Sequence, residues 1–134
     1  MNSRICADLF SLIWNDHNTV RYGRAGQRQN GVDIRGQSPR GGIAGVQCKG
    51  KRQWPPVKLT TAEIDAEVAK ALDFQPPLSE FTIATTALND GPLQAHVDAI
   101  TERHRAQGLF SVHLLGWDEL CRRITNYDQL VDQI

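Results

Sequence analysis

Apolar residues recur at helical spacing at the start of the chain. Ile5, Leu9, Leu12 and Ile13 within "SRICADLFSLIW" predict a helix over residues 3–14 that ends before "NDHN" and covers one side of a sheet. The period then shortens. "TVRY", "GVDIRG" and "IAGVQCKG" are β-prone runs, and the Ser-Pro-Arg-Gly-Gly stretch between the last two has turn chemistry, so residues 19–50 read as an antiparallel meander. "KRQWPPVKL" breaks the pattern with two prolines. Thr60, with Glu63 three residues on, then forms a capping box opening a helix to about Phe74, with Ile64, Val68, Ala71 and Leu72 as its buried stripe.

Helices and strands alternate in the second half. "EFTIATTA" is a strand, "NDGP" supplies a helix N-cap and an early proline, and a helix follows over 93–107. "GLFSVHLLG" is a further strand and "WDELCRRI" a last helix, with Trp14 and Trp117 as packing residues. Such alternation implies parallel pairing through right-handed crossovers. The expected class is α/β: a mixed central sheet, antiparallel meander first and parallel strands after, flanked by helices in one domain over residues 1–134.

Composition narrows the context. A chain of 134 residues, 40% hydrophobic, can bury about two thirds of its unfolded surface around one core. Cys6, Cys48 and Cys121 lack metal-ligand spacing and read as reduced thiols, which makes the cytoplasm the expected location. No apolar run approaches the ~18 residues of a membrane helix. His17, His96, His104 and His113 show no zinc spacing, and Gly23, Gly26 and Gly31 do not follow a strand into a helix as a nucleotide-binding loop would.

Charge changes the picture more. Residues 21–58 carry nine cations against the single carboxylate Asp33, a net of +8, which the rest of the chain balances at −8. Either this is a solvated basic hairpin or it is a phosphate-facing surface. Side chains alternate on a strand, so Gln47 and Lys49 share one face while Val46 and Cys48 share the other, and Asp33 is expected opposite Val32 and Ile34. If the two strands pair, carboxylate, amide oxygen and ammonium converge. Phosphodiester hydrolysis uses these groups: oxygen ligands for a hard cation, and a positive charge to offset the transition state. The alternative is a surface salt bridge between Asp33 and Lys49, with Gln47 a bystander.

The pattern Gly31-Val32-Asp33-Ile34, hairpin, Val46-Gln47-Cys48-Lys49 resembles the PD-(D/E)xK nuclease superfamily, in the Mrr-type restriction endonuclease-like branch where glutamine often replaces the acid before the lysine. "RYGRAGQRQNGVDIRG", "GVQCKGK", "LTTAEIDAEVAKALDFQPPLSEFTIATTA" and "GLFSVHLLGWDEL" extend the resemblance over essentially the whole chain. It implies a restriction endonuclease-like fold and a metal-dependent DNA endonuclease, such as the nuclease module of a bacterial restriction or antiviral defence system. Its catalytic residues would be Asp33, Gln47 and Lys49. Mg²⁺, with Mn²⁺ able to substitute, would be held by Asp33, Gln47 and the Cys48 carbonyl. The family's first-helix acid, in a context like Phe-Glu-x-Leu, falls here on Ala7 of Cys6-Ala7-Asp8-Leu9; the adjacent Asp8 is a further candidate ligand. A DNA-binding module of the same fold without catalysis is the alternative.

The implied partner is DNA, double-stranded, contacted by Arg21, Arg24, Gln27, Arg28, Gln29, Lys51 and Arg52, with no membrane. Cutting both strands needs two sites, so a homodimer, or fusion to a larger sensor or ATPase protein, fits this expectation. Glu67 and Lys70 are either solvated helix charges or groups facing the site, and Thr85 and Thr86 end a strand where open sheets place their sites. Trp54 either stacks on a base or caps the core under its turn.

Overall fold

The computed structural model describes residues 3–22 and 30–127. Four helices and five strands follow in the order α1 (Ser3–Trp14), β1 (Val20–Arg21), β2 (Ile34–Gln37), β3 (Ile43–Lys49), α2 (Thr61–Ala71), β4 (Leu78–Thr85), α3 (Gly91–Gln107), β5 (Ser111–Leu115) and α4 (Trp117–Thr125). The strands form one sheet in sequential order. β1, β2 and β3 pair antiparallel, then β3, β4 and β5 pair parallel, the mixed sheet expected from the pattern.

Two apolar layers sandwich the sheet. On one side Ile5, Leu9 and Phe10 of α1 and Leu120 and Ile124 of α4 meet Ile34, Ala44 and Val46. On the other, Ile64 and Val68 of α2 and Val97 and Ile100 of α3 meet Phe81 and Ile83. Full burial of each such Leu, Ile or Phe contributes about 1.5–3 kcal/mol. α1 lies so close to β2 that a Cβ on Gly36 would stand 2.4 Å from Trp14 Cε3, so only glycine fits under the indole.

The α2 cap forms as the sequence predicts. Thr60 Oγ1 accepts from the Glu63 amide at 3.1 Å, and the Glu63 carboxylate accepts from the Thr60 amide at 3.2 Å. The helix ends at Ala71, and its buried stripe differs from the expected one: Leu72 is exposed, and Glu67 takes the buried place beside Ile64, Val68 and Ala71. Asp90 caps α3 by accepting from the Leu93 amide at 3.0 Å, with proline in the first turn. Among the described residues, no helix is long and apolar enough to cross a membrane.

Candidate active site

β3 alternates as expected. Ala44, Val46 and Cys48 enter the α1 layer, which leaves Gln47 and Lys49 on the opposite face, under α2. The strand joins β4 in parallel register, with Gln47 beside Ile83 and Lys49 beside Thr85. The site therefore lies at the C-terminal end of β3, where the sheet is parallel and α2 crosses it.

Asp33 reaches this place by a different route from the one simple alternation implies. Val32 packs in the α2 layer and Ile34 in the α1 layer, so the two are not on one face: the chain bends at Asp33, just before β2 begins. The backbone still pairs, Asp33 donating to the Val46 carbonyl at 2.8 Å and accepting from the Tyr22 amide at 2.7 Å. Its carboxylate turns onto β3, where Oδ2 accepts from the Cys48 amide at 2.8 Å. A side chain thus replaces a backbone acceptor in the ladder and fixes the carboxylate beside the amide that separates Gln47 from Lys49.

Gln47 is 1% exposed, and its Nε2 donates to the Cys48 carbonyl at 3.4 Å, while its Oε1 is buried with no hydrogen-bond partner. Glu67 repeats the pattern. It is 3% exposed; Oε1 meets Lys49 Nζ at 3.3 Å and Lys70 Nζ at 3.6 Å, and Oε2 is buried without a partner. A buried acceptor left without a donor costs about 1–3 kcal/mol, more when charged. Two such oxygens, one on β3 and one on α2, are hard donors of the kind a hard cation bonds to.

Lys49 contacts Glu67, and Glu63 Oε2 at 3.8 Å. Lys51 is paired with the same Glu63 carboxylate rather than held out toward solvent. Burial would raise the Glu63 carboxyl, but the Lys51 ammonium and the Thr60 capping bonds outweigh it and hold it below its ordinary range. The result is a chain of alternating charge, Lys51, Glu63, Lys49, Glu67 and Lys70, along the seam between β3 and α2. Thr86 anchors the exit from that seam, accepting from the Lys51 amide at 2.6 Å and donating to its carbonyl at 2.8 Å. Thr85 is buried and accepts from the Ala87 amide at 3.1 Å, a turn role.

α1 meets the site from the other face of the sheet. Cys6 is buried against Cys48; the Cys48 thiol, raised by its hydrogen bond to Cys6 and by burial, stays protonated. Ala7 is half-buried in the same layer, and Asp8 lies two residues, or about 200° of helix, from Cys6, so it does not share the direction of Cys6. Among the described residues, no three or more His, Cys, Asp or Glu side chains are grouped to hold a metal. The oxygen donors on offer along the seam are the carboxylates of Asp33, Glu63 and Glu67 and the Gln47 amide.

The structure puts Gln47 and Lys49 on the α2 face of β3, holds the Asp33 carboxylate on the Cys48 amide, and adds Glu67 and Glu63 as ion-pair partners of Lys49. Glu67 carried a sequence signal: it falls at the i+3 position between Ile64 and Val68, inside the apolar stripe. Of the expected DNA contacts, Arg21 and Arg52 are exposed, whereas Arg24, Gln27, Arg28 and Gln29 lie outside the described residues. Trp54 is 88% exposed, so it does not cap the core. Comparison of the chain with protein-family models, with curated proteins and with solved structures finds no match.

Proposed function

We propose that the chain is a magnesium-dependent deoxyribonuclease whose active site is the β3–α2 seam, consistent with a nuclease module of a restriction or antiviral defence protein. The observation that carries this reading is the pair of buried, unpartnered oxygens: Gln47 Oε1, two residues before Lys49 on β3, and Oε2 of Glu67, the ion-pair partner of Lys49. Asp33, Gln47 and Glu67 would hold the cation, with the Cys48 carbonyl as a further oxygen. Bound there, magnesium or manganese supplies a Lewis acid that polarises the phosphoryl group.

The chain's own residues do the rest. Asp33 is held in place by the Cys48 amide it accepts from, which sets the position of its carboxylate before substrate arrives. Lys49 exchanges its contact with Glu67 for a phosphate oxygen and offsets the charge that grows as the phosphodiester is attacked. Glu63 holds Lys51 beside it, which keeps a second cation close without placing it on the reacting group.

Cleavage of plasmid DNA in Mg²⁺, with Lys49→Ala as the comparison, tests the assignment. Losing one preorganised stabiliser costs about 10²–10³ in rate, so Lys49→Ala is expected to lose detectable nicking while its circular dichroism stays that of the parent. A variant that cuts like the parent contradicts the role. One observation favours a second reading, a DNA-binding module without catalysis: α1 presents the thiol Cys6, not a carboxylate, to β3. That reading predicts salt-sensitive DNA binding with no metal-dependent nicking.

A further inference from the structure

The chain leaves the site through a built turn. Residues 51–58 fold back on themselves: the Val57 amide donates to the Arg52 carbonyl at 2.8 Å, and Gln53 and Pro56 form an antiparallel bridge. Its base is fastened to the end of β4 by the two Lys51–Thr86 bonds, and Gln53 Nε2 donates to the Thr86 carbonyl at 3.4 Å. Pro55 and Pro56 fix two φ angles near −65°, so the tip is stiff. At that tip stands Trp54, 88% exposed.

A rigid turn that holds an indole in water gains nothing from burying it, and the charged residues within the turn itself are all cations. Arg52 and Lys58 lie on either side of the tip, within the segment of net +8 charge. Behind it a cavity of about 540 Å³ opens between Arg52, Pro56 and Lys58 on the turn and Leu88 and Trp117 on the body, with Leu88 itself 61% exposed. Trp54 is five residues beyond Lys49, at most about 18 Å of chain, so a strand lying on Lys49 reaches it within a few nucleotides. An aromatic face between cations binds stacked bases and their phosphates, and every base offers a π-face.

We propose that the 51–58 turn is a stacking platform for an unpaired base of a DNA strand, with Trp54 as the stacking face and Arg52 and Lys58 as phosphate contacts. The inference rests on the nucleic-acid reading of the β3–α2 seam. It narrows the substrate to DNA that presents unpaired bases close to the cut, in place of the fully paired duplex expected from sequence.

The experiment titrates a twelve-nucleotide oligothymidylate into the whole chain, follows tryptophan fluorescence, and repeats the titration with a paired duplex of equal length. The single strand is expected to quench the exposed indole and to bind more tightly than the duplex. Trp54→Ala removes the quench and weakens binding about 5- to 150-fold without changing the salt dependence, Trp54→Phe keeps most of the affinity, and Arg52→Ala lowers the salt slope by about 0.7. Quench and affinity that depend on Trp54 in a protein that does not cut DNA establish the platform and sink the nuclease reading. A protein that cuts DNA while Trp54→Ala binds as tightly as the parent sinks the platform and leaves the nuclease standing. Equal binding of duplex and single strand, or no binding of either, also overturns the proposal.

Discussion

Glu67 shows how far single side chains govern this site. A carboxylate at 3% exposure is costly to bury even with two lysines at 3.3 and 3.6 Å, because one oxygen is left without a partner. Glu67→Gln removes that charge while keeping the shape. If Glu67 serves a cation, Mn²⁺ affinity by calorimetry is expected to fall about 10–100-fold with the melting temperature nearly unchanged. Unaltered Mn²⁺ affinity with a large drop in melting temperature would instead make it a structural ion pair. Gly36 makes the opposite case, where any side chain is too much: Gly36→Ala drives a methyl to 2.4 Å from the Trp14 ring. Overpacking of this kind costs about 1–3 kcal/mol, which urea unfolding of the variant measures. A midpoint equal to the parent's would mean that Trp14 moves aside freely.

At the scale of elements, α2 carries Glu63 and Glu67 of the candidate site, so its cap bears on how that site is held. Thr60→Ala removes the hydroxyl that accepts from the Glu63 amide and loosens the first turn holding Glu63 against Lys51. A lost cap costs about 1 kcal/mol, a fall in melting temperature of roughly 2–6 °C by calorimetry, and an unchanged midpoint would deny the cap its role. Helix identities are legible because α1 is marked by periodicity and α2 and α3 by their caps: α1, α3 and α4 begin or end within two residues of the expected positions. The mixed sheet follows from a meander in the first half and strands that alternate with helices in the second. Two features escaped. Strict alternation put Asp33 opposite Val32 and Ile34, but a bend separates their faces, and a bend leaves no periodic trace. The α2 stripe was assigned to Leu72 because hydrophobicity outranked geometry there; ion pairs to lysines of β3 and of α2 itself let Glu67 hold the buried position instead.

For the whole molecule, the shifted groups that titrate below pH 7 act in one direction. Asp16, held down by the Gln37 and Asn18 amides, Glu63, held down by Lys51 and its cap despite burial, and Glu119, lowered to about 2 by Arg122 and Arg123, each lie below the ordinary carboxylate range. Their contribution is present above the unfolded pKa, near 4–4.5, and is lost as pH falls toward the folded values. Burial lowers His113, so the unfolded chain takes up its proton first, below about pH 6.5, and stability declines from there as well. Melting temperature is therefore expected to fall steadily from pH 7 to pH 3, with a modest slope because the carboxylates are largely solvated. A flat or rising profile would contradict these shifts.

In the proposed reading, the oxygens left unpartnered beneath α2 form a divalent-cation site beside Lys49. Anomalous diffraction from crystals soaked in Mn²⁺ tests it without recourse to activity. A manganese peak is expected within bonding distance of Glu67 Oε2 and the Asp33 carboxylate, weakened in Glu67→Gln. Full soaking with no peak there, and Lys49 still paired with Glu67, would contradict it.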